Sequence, residues 1–177
     1  MKRLIFICGI VAGLISTSFF IGLMIIGKAP DENFKYGMII GYTLMILGFS
    51  MIFVATRITR DKYDGGVISF GKAFRIGLYI TLIATAVYVI VWMIDLNLFI
   101  PDFAEKYAAS SLEHLKASGA SEAEIAKKNL ENANLIQMYK NPLFVVLLTA
   151  VEILPVGLLV SLISAFVLKR KRKASIG

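Results

Sequence analysis

Four stretches of this chain are almost wholly apolar, and polar runs separate them: residues 4–27, 36–56, 73–98 and 143–168. At a rise of ~1.5 Å per residue, each can cross the ~30 Å hydrocarbon core of a bilayer as a helix. Small residues recur along one face of each stretch: Gly9 and Gly13; Gly37, Gly41 and Gly48; Ala73, Gly77, Thr81 and Thr85; Gly157, Ser161 and Ala165. Such faces let backbones approach closely in lipid, where apolar surface alone gives helices no reason to associate. They predict four spans packed on one another in preference to a dimerisation motif.

The polar runs predict the connections. Lys28–Lys35 reads as a short outer turn, and Asp64-Gly65-Gly66 is a turn signal after the second span. Val67 to Phe70 then lies at the interface or opens the third helix. Between the third and fourth spans, residues 99–142 form the one sizeable polar segment. It divides into a helix from Phe103 to about Ala117, a break at Ser118-Gly119, and a helix from Glu122 to about Tyr139. Ser121 and Glu124 have the spacing of a capping box, which supplies acceptors to unpaired amides at a helix start. Ala126, Leu130, Ala133 and Ile136 recur at helical spacing and give this helix a narrow face to lay on a neighbour or the membrane surface. Asn141-Pro142 opens the fourth span, with Asn as cap and Pro at the first helical position. The expected fold is all-α: one membrane domain over 1–177, a four-helix bundle with an extracytoplasmic helical hairpin between spans three and four. Residues 169–177 form a basic cytoplasmic tail.

Composition agrees with a membrane setting. The 177 residues are 58% hydrophobic with a mean hydropathy of +0.76, more apolar surface than a soluble fold of this length can hide. The net charge of +7 changes its meaning once it is placed. With both ends cytoplasmic, the inner side holds Lys2, Arg3, Arg57, Arg60, Lys62, Lys72, Arg75 and Lys169 to Lys173 against Asp61 and Asp64. The outer side holds seven Lys against nine acids, counting Asp95. This is the positive-inside bias and not a nucleic-acid footprint. Lys169, Arg170, Lys171, Arg172 and Lys173 are placed to meet anionic lipid headgroups at the cytoplasmic face. The first apolar run exceeds the roughly 7 to 15 residues of a signal h-region, so it reads as an uncleaved span. Trp92, near the outer end of the third, suits the headgroup region.

Reactive chemistry is sparse. Cys8 is the single cysteine, so no disulfide forms within the chain, and it reads as a small buried hydrophobe. His114 is the single histidine and lies in the outer segment, which removes a haem pair, a His-rich metal site and a Ser-His-Asp set within the membrane. Gly66 to Ala73 resembles a phosphate-binding loop until Ala73, where Ser or Thr is needed for Mg²⁺, and a span precedes it in place of a strand. Its glycines read as a turn, with Lys72 and Arg75 at the lipid surface. Neither a metal, a cofactor nor an enzymatic activity is expected.

One ionisable residue lies deep in a span. Glu152 sits roughly 14 Å inside the fourth span by residue count, three residues before Pro155. The same depth in other spans reaches Ser16, Thr17 and Ser18, Tyr42 and Thr43, and Thr85 and Tyr88, with no cation among them. Desolvation disfavours an anion there, so the expectation is a neutral acid hydrogen-bonded to Tyr88, Tyr42 or a first-span hydroxyl. The candidate site is Glu152, Pro155, Tyr88, Thr85, Tyr42, Thr43 and Thr17. Two functions follow from these features. The favoured one is a non-enzymatic accessory or interaction protein, with a protein partner or as a homo-oligomer, acting through helix packing and the outer hairpin. The alternative is a small proton-linked transporter or channel using Glu152.

The order of segments is also familiar. The runs GKAPDENFKYGMIIGYTLMILGFSMIF, RDKYDGGVISFGKAFRIGLYITLIATAVYVIVW, PDFAEKYAASSLEHLKASGASEAEI and MYKNPLFVVLLTAVEILPVGLLVSLISA resemble the bacterial membrane-protein family catalogued as domain of unknown function 4199. GGxISFGKAF and EIxPVGLxxSLISA are the most specific parts. The resemblance implies an integral inner-membrane protein with four helices, and it carries over no catalytic or ligand residues.

Overall fold

The computed structural model describes residues 1–26 and 34–170. Gly27, most of the expected outer turn at 28–35, and Lys171, Arg172 and Lys173 with the rest of the tail lie outside the described residues. The order of elements is α1 (Lys2–Ile26), α2 (Phe34–Ile58) with a π turn (Thr59–Tyr63), α3 (Phe70–Leu98), α4 (Phe103–Ala117), α5 (Glu122–Tyr139) and α6 (Pro142–Leu168). Among the described residues there is no strand, only an isolated antiparallel bridge between Ile68 and Arg170. Four helices are long and apolar enough to cross a membrane: α1, α2, α3 and α6.

Local chemistry explains each start and stop. Ser69 accepts a hydrogen bond from the Lys72 amide at 3.3 Å, so α3 begins at Phe70, three residues ahead of the expected start. The capping box forms as the spacing predicts: Ser121 Oγ accepts from the Glu124 amide, and Glu124 accepts from the Ser121 amide at 2.8 Å. The Ser121 amide, and with it the Ser121 hydroxyl at 2.8 Å, hold the Glu124 carboxyl below its ordinary range. Asn141 accepts from the Leu143 amide at 3.0 Å, with Pro142 at the first position of α6. The second helix runs beyond its expected end near residue 56, with Arg57 exposed in its last turn, and continues into the π turn that holds Arg60. Nothing in the sequence breaks it until Gly65 and Gly66, whose φ values of +60° and +83° favour glycine.

Most of the small residues lie at close helix contacts, as their spacing predicts, though Gly41 does not. Gly9 and Gly13 of α1 lie against Ile83 and Val87 of α3. Gly48 of α2 lies against Ala12 and Ser16 of α1, and Gly77 of α3 against Ser161 of α6. Gly157 of α6 lies against Thr81 and Phe49. Thr81 and Ser161 share a hydrogen bond at 3.3 Å across that seam. Phe49, Ile52, Ile80 and Ile153 fill the centre and are fully buried, and Cys8 is buried beside them.

A second cluster joins the outer helices to the ends of the spans. Trp92 of α3 is 8% exposed and packs between Phe20 of α1 and Phe103 of α4, with ring centroids 5.0 and 5.1 Å apart. Phe103 in turn meets Tyr139 of α5 at 5.7 Å. Three residues of the narrow face expected on α5 turn away from α4: Ala126, Leu130 and Ala133 are exposed, Leu130 at 66%, while the fourth, Ile136, is half-buried with Ile125, Asn132 and Leu135 on the inward side. The reason is polar: Asn132 is buried and donates to the Ala108 carbonyl at 2.9 Å, which sets the rotation of α5 on α4.

Candidate functional site around Glu152

The buried stripe of α6 is Val145, Thr149, Ile153, Gly157, Ser161, Ser164 and Ala165. Glu152 lies about 100° of helix rotation from Ile153, on the flank of this stripe, and its side chain is exposed. It shares that flank with Leu148, Pro155, Leu159, Leu162 and Phe166, all exposed, which recur at spacings of four and three residues. Pro155 has no amide hydrogen, so the Val151 carbonyl one residue before Glu152 loses its helical donor on this exposed side.

The hydrogen bond expected from Glu152 to Tyr88, Tyr42 or a first-span hydroxyl is absent among the described residues. The hydroxyls at that depth turn back on their own helices. Ser16 donates to Ala12, Thr17 to Gly13 at 2.9 Å, Ser18 to Ile15, and Thr43 to Ile39 at 2.7 Å, each to a backbone carbonyl. A carbonyl three or four residues back is always within reach of a helical Ser or Thr, so these groups are satisfied without crossing to a neighbour. Thr85 Oγ1 is buried and has no hydrogen-bond partner. Thr17 and Thr43 therefore spend their hydroxyl protons on their own helices, with no described hydrogen bond to Glu152.

The tyrosines stay. Glu152 lies within electrostatic reach of Tyr88, which is 3% exposed, and of Tyr139 at the end of α5; Tyr42, on the exposed side of α2, is within reach of Tyr88. Burial first, then the charge of Glu152 and the Tyr107 phenol, push the Tyr139 hydroxyl up to about 12, so it stays a neutral donor at any ordinary pH. Sequence reasoning missed Tyr139, which counting assigns to the outer segment. The signal available was its place three residues ahead of Pro142, where a long side chain reaches toward the span it precedes. Asp95 was also counted among the outer charges. It is 4% exposed in the last turns of α3, and its backbone carbonyl accepts from the Phe99 and Ile100 amides that close the helix.

At the other end of the molecule, charges are paired and pinned. Lys72, expected at the lipid surface, pairs with Asp64 at 2.7 Å across the glycine turn. Arg60 pairs with Asp61 at 2.7 Å. Arg170 exchanges two backbone hydrogen bonds with Ile68, at 2.9 and 3.1 Å, and Lys169 Nζ stands 4.8 Å over the Phe166 ring. Lys169 and Arg170 are exposed, so the described part of the basic cluster faces outward.

Helix after helix of span length, with faces matched by small residues and one acid on the exposed flank, gives the chain the build of an all-helical membrane protein. It belongs to the family described as Protein of unknown function (DUF4199), whose model matches residues 7–170. No curated protein and no solved structure matches it.

Proposed function

We propose that this chain is a non-enzymatic, multi-pass protein of a bacterial cytoplasmic membrane that acts by pairing with another membrane protein. In this reading α1, α2, α3 and α6 form a four-helix bundle across the bilayer, both termini are cytoplasmic, and α4 and α5 form a hairpin on the outer side. The inner cations face anionic headgroups. The observation that carries it is the exposed Glu152 at mid-span. A charged side chain at the centre of an inserted helix costs roughly 2.5–3.5 kcal/mol, so a carboxyl facing hydrocarbon favours whatever covers it. The exposed flank supports a helix as the cover, because its spacing of four and three residues is that of a seam between two helices.

The test is association in mild detergent after crosslinking. Wild-type protein is expected to run as a complex, with a partner or with itself. Glu152→Leu, which suits lipid and offers no hydrogen bond, is expected to weaken that complex by about three- to tenfold. A wild type that runs only as a lone monomer would sink the reading.

A second reading is proton-linked passage, favoured by the Tyr88 and Tyr139 phenols within electrostatic reach of Glu152. Glu152→Gln keeps shape and hydrogen bonding but removes the titratable proton. In proteoliposomes under a pH gradient, wild-type flux and its loss in Glu152→Gln are the expected pair. Equal flux in both, or none in either, ends this reading.

A further inference from the structure

Where α4 and α5 meet the ends of α3 and α6 there is a cleft of about 260 Å³. Leu96, from the last turn of α3, and Val145, from the first turn of α6, supply apolar lining. Glu105, Lys140, Tyr139 and Asn97 supply the polar lining. Ligand pockets for drug-sized molecules run to roughly 300–1,000 Å³, so this one has room for a headgroup-sized group.

Two features make the lining chemically specific. Glu105 and Lys140 have opposite charges in one cleft, yet neither forms an ion pair with the other or with another described residue. Two nearby cations are engaged elsewhere: Lys106 holds Asp102 at 2.9 Å, and Lys128 stands 3.7 Å from Glu131. Tyr139 adds a phenol that stays protonated, beside the ammonium of Lys140. The lining therefore offers an acceptor for a cation and donors to an anion. A zwitterion with its charges a few bonds apart matches both.

Depth selects the kind of zwitterion, and this step rests on the proposed bilayer crossing of α3 and α6. Leu96 and Val145 lie within a turn of the ends of those helices, which puts the cleft level with the phospholipid headgroups. We propose that the cleft binds the headgroup of a zwitterionic phospholipid carrying a primary ammonium, as in phosphatidylethanolamine. Glu105 takes the ammonium, Lys140 and Tyr139 donate to the phosphodiester, and Leu96 and Val145 lie along the first carbons of the tails. A primary ammonium gives Glu105 three hydrogen-bond donors, whereas a quaternary ammonium gives none. An anionic headgroup without an amine leaves Glu105 unmatched.

Native mass spectrometry of the delipidated full chain tests this, with equal amounts of phosphatidylethanolamine, phosphatidylcholine and phosphatidylglycerol. On the wild type, bound phosphatidylethanolamine is expected to exceed each of the others by about three- to fivefold. Glu105→Gln should erase that preference, and Lys140→Gln should lower all three alike. Both residues are exposed, and circular dichroism should find both variants folded. Equal occupancy by the three lipids, or a preference that survives Glu105→Gln, overturns the proposal. Displacement of the lipid by an equal concentration of soluble phosphoethanolamine would assign the cleft to a soluble ligand and overturn the lipid assignment. A carbonate wash separates this from the span reading. Protein that stays in the membrane but lacks the preference overturns the cleft alone, while protein that washes off overturns the span reading on which the cleft depends.

Discussion

Gly48→Val lowers the thermal midpoint of the detergent-solubilised protein by roughly 6–12 °C, the expected consequence of about 3 kcal/mol of overpacking. A Cβ at Gly48 would stand 2.5 Å from the Ala12 carbonyl oxygen and 2.6 Å from Ser16 Oγ. The first of these is backbone inside α1 and has no rotamer to escape into, so α1 and α2 must move apart along their length. Gly41 is the control on the same helix. A Cβ there meets nothing within 4 Å, so Gly41→Ala removes only the glycine penalty and leaves the midpoint level or raises it by a degree or two. Equal losses from Gly41→Ala and Gly48→Val would mean that close approach at Gly48 does not decide stability here.

Trp92→Ala is expected to cost about 3–5 kcal/mol and to loosen the outer helices before the spans. Its ring is shared among three helices, packing on Phe20 of α1 and edge-on against Phe103 of α4. Without it, Phe103 and Tyr139 lose the surface on which α4 and α5 are seated. Limited proteolysis at the Ser118–Gly119 connection measures this directly. Faster cleavage there, with the helical content of the spans retained, is the expected pattern. Cleavage at the wild-type rate would show that Asn132 and its bond to Ala108 hold the outer pair without help from the tryptophan.

The parts of this molecule that were legible in its sequence are those that depend on one helix at a time. Span length, the capping box at Ser121, the Asn141 cap and the small-residue faces each follow from spacing along a single segment. What spacing could not supply is rotation of one helix against another. Counting assigns Glu152 a depth along α6, but whether it faces inward or outward depends on which sides of α6 its neighbours occupy, and α2 and α3 occupy the others. The rotation of α5 on α4 escaped for the same reason: of the apolar pattern only Ile136 lies on the inward side, and one polar contact from Asn132 sets the helix there. Asp95 and Tyr139 show the limit at the ends of spans, where one turn separates a wet side chain from a buried one. The second helix ran long because cations are compatible with helix at an interface, and only the two glycines stop it.

The backbone pairing of Ile68 with Arg170 has a mechanical consequence. It fastens the connection between α2 and α3 to the end of α6, so the ends of three long helices meet at one joint. At the opposite end, Trp92 and Phe103 brace α1, α3 and α4. Only α3 is held in both places, and a rocking motion of α3 that opens either end has to break main-chain hydrogen bonds or unseat a tryptophan.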